Sequence, residues 1–457
     1  MTPPSTQRGS GGPRKKPTCI VIGAGLAGLA AADRAKHRGW DVQVLEAQPQ
    51  LGGRVKSFSF LKPEGYCRLV CELGGEWIGK DHKTMLRLVK RFHLKKINHQ
   101  FALAFWDAEE QVQKVYPPGR TVFPHDMQEI LDKFQKKFRR LKTAGQKRLD
   151  KLDWWSQLKL LGFTNDALLR RDLMDGTDFG ESIRQTSAFG AAAEYLSKNS
   201  NNTDEMDYKI AGGNSRLIEA LADSIGRTSV HTDAPVHQVI QRGKKVEVRF
   251  GSGKSFEGDA CICAIPASCL RHITWKPGLH ADKVAAANQL QYARITKTAV
   301  LFKDRFWDSP DDPKPGGFSV FSDRVSDFCF DSTYLQPGPG GILCSYAVGD
   351  KADDIAAERD VIQVGKWISE DVRSAMPKRR GGPAPRVLNV QRQAWQKQEW
   401  ITGAYAFYRP GQWFTVQPVL LKRHENVFFA GEHIADAQGF MEGAVATGIA
   451  AANNLGK

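Results

Sequence analysis

The chain has 457 residues, 41% of them hydrophobic and 25% charged, which is enough apolar material to bury a core and excludes global disorder. Lys and Arg outnumber Asp and Glu by 65 to 50, a formal charge of +15, yet no zinc-finger, helix-turn-helix or aromatic-interleaved RNA motif accompanies them, so no nucleic-acid partner is expected. No run approaches 18 apolar residues, which excludes a membrane-spanning helix, and the eight cysteines show no CxxC pair, as suits free thiols in a reducing cytoplasm.

Residues 1–16 carry a basic cluster without the apolar run of a secretory signal and read as a disordered tail. A β-branched run at 18–22 then opens a strand–helix–strand unit. Leu26, Leu29, Ala30 and Ala35 recur at helical spacing, Gly39 stops the helix, and Val42 and Val44 lead to Glu46 at the end of a second strand. Gly23, Gly25 and Gly28 form GxGxxG between strand and helix. The first permits a tight turn, the second lets a pyrophosphate approach the backbone, and the third lets helix and strand pack closely. The helix N-terminus offers unsatisfied N–H groups to phosphates. Glu46, 18 positions after Gly28, stands where an acceptor for adenosine ribose hydroxyls belongs.

Two glycine doublets follow, in Leu51-Gly52-Gly53-Arg54-Val55 and in Glu72-Leu73-Gly74-Gly75-Glu76-Trp77. A nicotinamide dinucleotide has no need of them, whereas a flavin ring and ribityl chain laid against bare backbone do, so the expected cofactor is FAD. Arg54 is expected to meet its pyrophosphate as a fixed cation.

From 126 to 171 the pattern is helical and amphipathic, with Ile130, Leu131, Phe134, Phe138, Leu141 and Leu149 on one side and basic residues opposite, and reads as a peripheral helix pair. Helical signals continue to about 225. Residues 235–241, 245–250 and 259–266 predict a β-meander, with Cys261 and Cys263 on one face of its last strand. Strands are expected at 295–302 and 340–348, a helix at 353–375, and extended chain at 386–395 and 402–408. The chain ends in a strand at 426–433 and a helix at 439–455. Nucleotide-type signals thus lie at both ends and in the middle. That predicts one discontinuous domain from 17–80, 211–270 and 420–457, and a second from 81–210 and 271–419.

The segments GAGLAGL, Glu46, GGRV, ELGGEW, AGGNSRL at 211–217, CAIPA at 263–267 and FAGEH…GFMEGAVATG together resemble the flavin-containing amine oxidases, a family that includes monoamine, polyamine and L-amino-acid oxidases. The resemblance implies an α/β fold in which a Rossmann-like FAD-binding domain is interleaved with an α+β substrate domain built on a mixed sheet. It implies hydride transfer from the carbon α to nitrogen to flavin N5, imine hydrolysis, and reoxidation by O2 to give H2O2. Lys297 matches the family lysine that reaches N5 through a water. Trp395 and Tyr405 match the aromatics facing the flavin, and Phe440 takes the second wall of the cage, a tyrosine in many monoamine oxidases. Ala404 stands where some members carry the cysteine joined to FAD, so FAD is expected to be held noncovalently. Gly431 and Glu432 match the acid at the ribityl chain, Val236 a backbone contact to adenine, and Met441 the start of the helix aimed at the flavin. Gly53, Gly74, Gly75, Glu76 and Trp77 complete the expected cofactor wall.

Substrate class stays open between an amine and an L-amino acid. Many L-amino-acid oxidases place an arginine where Glu76-Trp77 stands, and its absence favours an amine, since a buried carboxylate without a cation is costly. Arg409 could supply that cation instead, and Glu76 would suit a cationic substrate tail. A flavin desaturase, a porphyrinogen oxidase and a non-enzymatic basic binding protein are the other readings, and a homodimer is left open.

Overall fold

The computed structural model describes residues 16–60, 68–99, 101–107, 112–116, 125–196, 208–308, 317–376, 385–436 and 438–456. Residues 1–15 of the predicted tail and Cys67 lie outside them.

A five-stranded parallel sheet runs in the order Val427–Phe429, Ala260–Cys263, Thr18–Ile22, Asp41–Leu45, Val230–His231. Its first strand is buried on both faces, so the run at 18–22 is nearly continuously apolar instead of alternating in polarity. Ile20, Ile22, Cys261 and Cys263 point into one core, Cys19, Val21 and Ile262 into the other. The helix Leu26–His37 follows the first strand, and the last helix, Met441–Asn453, lies so close to it that a Cβ on Gly448 would stand 2.2 Å from the Ala27 carbonyl oxygen.

The meander is corrected in one respect. Val236–Arg242 and Lys245–Phe250 form the expected hairpin, but its third strand is Lys254–Gly258, while Ala260–Cys263 leaves to join the parallel sheet. Gly258 and Asp259 make the exit: Asp259 N–H donates to the Thr18 carbonyl and Thr18 N–H returns a bond to Asp259 Oδ2. A two-residue period gives a strand's faces without saying which sheet it enters. Thr274–Lys276 completes this smaller sheet, parallel to the first hairpin strand.

A seven-stranded sheet has the order Val387–Ala394, Ile295–Phe302, Gly341–Val348, Phe328–Asp331, Gly317–Ser322, Phe101–Asp107, Val112–Tyr116. It is antiparallel except where Gly317–Ser322 runs parallel to Phe101–Asp107. Ile295–Phe302 is flanked on both sides, and all eight of its residues are buried.

The predicted helix pair is four helices: His125–Phe138, Thr143–Asp150, Trp154–Leu160 and Asn165–Phe179. Asp153 and Thr164 start the last two by accepting from Ser156 N–H and Ala167 N–H, and Gly162, at φ +99°, makes the turn between them. The helix expected at 353–375 is likewise split, into Gly349–Ala357 and Val361–Ser374, the second capped by Asp360. Of 402–408 only Ala406–Phe407 is strand, paired with Gln291–Tyr292. Among the described residues no helix is long and apolar enough to cross a membrane.

Candidate active site

The glycine loop occupies the carboxyl end of the first strand. Gly23 has φ +95°, and a Cβ on Gly28 would stand 2.0 Å from the Gly23 carbonyl oxygen, so both must lack side chains. Gly25 differs: a Cβ there would meet nothing within 4 Å. It caps the helix without a side-chain bond, so no capping side chain satisfies the first-turn N–H groups. Glu46 closes one side, accepting from Ala24 N–H at 2.7 Å and Gln48 N–H at 3.0 Å; burial pushes its carboxyl up while these bonds pull it down. Ala234 N–H donates to the Glu46 carbonyl, which brings Val236 to the same end.

The doublets line the continuation. Gly52 bridges Gly25, and a Cβ on Gly53 would lie 3.4 Å from Gly25 Cα. Gly75 N–H donates to the Arg54 carbonyl at 2.9 Å, a Cβ on Gly74 would stand 2.1 Å from that oxygen, and Met441 packs on Gly75. Gly431, at φ +148°, delivers Glu432 to the same wall. Open backbone at Gly25, a free helix start and glycines in succession fit an extended dinucleotide bearing a flavin.

Arg54 and Glu432 depart from expectation. The Arg54 guanidinium is paired with Glu432 Oε1 at 2.5 Å and lies 5.6 Å over the Tyr292 ring, so it is not a cation held open for phosphate alone. Burial disfavours its charge, but Glu432 outweighs this and raises its pKa. Glu432 also accepts from Gly439 N–H at 2.8 Å and Ala406 N–H at 3.3 Å, so its oxygens are engaged before any ribityl hydroxyl arrives.

Lys297 is buried on a strand paired on both sides within the large sheet. Its ammonium donates to Glu76 Oε2 at 2.6 Å, the Gly74 carbonyl at 3.1 Å and the Glu72 carbonyl at 3.3 Å. It is thus fastened to the glycine wall, with all three protons directed there. Glu76 Oε1 accepts from Lys209 at 2.9 Å, and Lys209 lies 4.6 Å over the Trp77 ring. The suggestion that Glu76 receives a substrate cation is therefore corrected: two lysines of the protein occupy it. Burial opposes the Glu76 charge, but the lysines outweigh it and lower its pKa.

The aromatic wall stands beside this cluster. Trp395 is buried and donates from Nε1 to the Leu73 carbonyl at 2.9 Å. Tyr405 donates its hydroxyl to the Thr177 carbonyl at 2.6 Å, and its ring lies against Gly180 and Gly439. Phe440, next to Gly439, meets His82 edge-on at 5.3 Å. Ala404, just before Tyr405, is buried.

Three participants escaped the sequence reading. Tyr346 sits opposite Lys297 in the sheet, has its ring 5.4 Å from the ammonium, and reaches the Tyr405 hydroxyl at 3.4 Å. Lys209 and Glu72 are the others: Glu72 is the first residue of ELGGEW itself, while only nearness to AGGNSRL could have drawn attention to Lys209. Arg409 is corrected: it is exposed and donates to Gln185 Oε1 at 2.8 Å, behind the fully buried Tyr408.

The flavin containing amine oxidoreductase family model matches residues 26–455. Curated relatives include an L-amino acid oxidase of Bothrops pictus, 25% identical over 96% of this chain and 90% of that protein. One from Crotalus adamanteus is 24% identical over 96% and 86%. Similar solved folds include a putrescine oxidase bound to putrescine, with TM-score 0.81 and 19% identity over 96% of this chain and 99% of that one. The cyclohexylamine oxidase of Brevibacterium oxydans IH-35A gives TM-score 0.80 and 20% identity over 96% and 98%. With its glycine-lined wall, buried lysine and aromatic face spread over nearly the whole matched length, the chain belongs to the flavin-containing amine oxidoreductase family.

Proposed function

We propose that the protein binds FAD noncovalently and oxidises a small amine: RCH2NH2 + O2 + H2O gives RCHO + NH3 + H2O2. The observation that carries this reading is the meeting of Lys297, Gly74 and Gly75 with Trp395, Tyr405 and Tyr346 on one wall. FAD, when bound, supplies the two-electron acceptor. Gly25 and the helix start would take the pyrophosphate, Glu46 the adenosine ribose and the 74–75 backbone the ring. Tyr405, held by Thr177 and Tyr346, would orient a neutral amine with its ring face. Lys297 keeps a fixed positive charge at the glycine wall, favouring anionic species formed near it.

The cations at this wall are already paired, Arg54 with Glu432, and Lys297 and Lys209 with Glu76. Asp178 and Glu194 contribute negative potential at Tyr405, after burial the main influences together with Tyr346 that raise its hydroxyl pKa. Both features favour an amine over a carboxylate-bearing substrate. The second reading, an L-amino-acid oxidase, is supported by the 25% identity to such an enzyme. A peroxide assay across aliphatic amines, arylalkylamines, polyamines and the twenty L-amino acids separates the two. Amine-dependent peroxide is expected; a colourless protein that takes up no FAD removes both readings. Because Ala404 offers no thiol, acid precipitation should release all the flavin into the supernatant. Yellow colour retained in the pellet would contradict noncovalent binding.

A further inference from the structure

Lys297, Glu76 and Lys209 form a line of three alternating charges, all at least nine-tenths buried. They come from three separate elements: Ile295–Phe302, the loop after Leu69–Glu72, and Tyr208–Ile210. A lysine buried alone loses its proton readily, because an apolar surrounding disfavours the charged form. A carboxylate at 2.6 Å reverses that preference, and the other oxygen of Glu76 accepts from Lys209 at 2.9 Å. Also facing the lysine are the Glu72 and Gly74 carbonyl oxygens, Cys344 and Tyr346 on the neighbouring strand, Cys71 on Leu69–Glu72, and the Phe330 ring at 5.8 Å. Around Lys209 stand the Trp77 ring, His99 and the carboxyl of Glu72. Glu76 is thus the one carboxylate bonded to both ammonium groups among the described residues.

We infer that Glu76 is a positioning residue for Lys297, aimed in turn by Lys209, and that this pair keeps the lysine charged and fixed against the glycine wall. The inference rests on the proposed role of that wall, but it concerns the lysine's own state. Two consequences follow. Lys297 stays an ammonium through the alkaline range in which an ordinary lysine titrates, so it serves as a constant charge and not as a base. Its Nζ is also directed to the Gly74 carbonyl, which gives a bound ring's neighbour a fixed location.

The experiment reads the lysine directly, by NMR of the flavin-loaded protein carrying 13C at lysine Cε, with Lys297→Met and Lys209→Met identifying the two resonances. In the wild type the Lys297 signal should stay flat to about pH 11, beyond the usual lysine midpoint. In Glu76→Gln its midpoint should fall by about two pH units or more, as for a buried lysine without a partner. If Glu76→Gln fails to fold with two facing ammonium groups, the double variant Glu76→Gln/Lys209→Met removes one charge of each sign and should show the same fall. Glu76→Asp should restore the plateau. An unchanged Lys297 titration in the double variant overturns the inference. The pH profile of kcat/KM for O2 provides a second readout: flat in the wild type, falling above the lowered midpoint in the variants. A shifted resonance in a protein that releases no peroxide from any amine upholds the positioning role while removing the catalytic reading, so the two failures are distinguishable.

Discussion

Glu72 shows how one residue of a recognisable motif acquires a property from distant partners. It is fully enclosed. Ser57 donates to both of its oxygens, at 3.0 and 2.8 Å, and Asn214 N–H donates at 2.8 Å. Burial pushes its carboxyl up to about 7 and Glu76 adds to the rise, against the pull of Asn214, Ser57 and Lys209. The folded state then holds a proton that the unfolded chain releases above pH 4.5, so Glu72 makes stability fall as pH rises from 4.5 to about 7. His433 and His99 act oppositely. Burial lowers them to about 4 and about 2 from 6.5, so folding keeps them neutral where the unfolded chain takes protons, and stability falls as pH drops below 6.5. Between pH 4.5 and 6.5 Glu72 masks part of that acid loss. Glu72→Gln should therefore steepen the decline from pH 6.5 to 5 by roughly 1 kcal/mol per pH unit. Urea midpoints at pH 5, 6 and 8 check this; parallel profiles for variant and wild type would contradict it. ELGGEW marks the glutamate, but Ser57 and Asn214 lie 15 and 142 positions away, and no local pattern joins them.

At the scale of elements, the glycine loop and the Trp395 contact were legible for different reasons. The strand–GxGxxG–helix unit is local, so spacing alone located the turn, the helix and Glu46. Geometry then divides the glycines by role. Gly28→Ala would drive a Cβ into the Gly23 carbonyl and should lower the thermal midpoint in the absence of any flavin. Gly25→Val has an ordinary backbone, φ −67° and ψ 174°, and open space around it, so the protein should fold normally yet carry little FAD. The ratio of flavin absorbance to protein, measured beside the unfolding midpoint, separates the two effects; full flavin content in Gly25→Val would remove the phosphate assignment. Trp395 joins elements 322 positions apart through the Leu73 carbonyl, and only the family resemblance pointed to it. Trp395→Phe leaves a buried carbonyl without that donor and should cost about 1–3 kcal/mol in denaturant unfolding. The third strand of the meander was misplaced for the complementary reason: alternation fixes faces, while sheet membership depends on the bond between Asp259 and Thr18.

For the whole molecule, the two large sheets supply different walls of the proposed site. The parallel sheet contributes Gly25 and Glu46 at its strand ends, and the seven-stranded sheet contributes Lys297 and Tyr346. Of the parallel sheet only the local pair 18–22 and 41–45 was readable, because its partners at 260–263 and 230–231 come from distant chain, while the strands at 317–322 and 328–331 went unread although they pair with each other as a hairpin. A ligand lying along both walls must stabilise the folded state by mass action. At 100 times its dissociation constant, FAD adds about 2.7 kcal/mol. Wild-type protein stripped of flavin should therefore gain unfolding midpoint on adding FAD, in proportion to the logarithm of its concentration. Gly25→Val should lose most of that gain while matching the wild type without FAD. ADP, which carries the pyrophosphate and adenosine but no flavin, should stabilise both sheets less. If Lys297→Met shows the same difference between FAD and ADP as the wild type, the ring does not rest on the lysine wall. A smaller difference in Lys297→Met, with its ADP response unaltered, places the flavin end of the ligand where the two sheets meet.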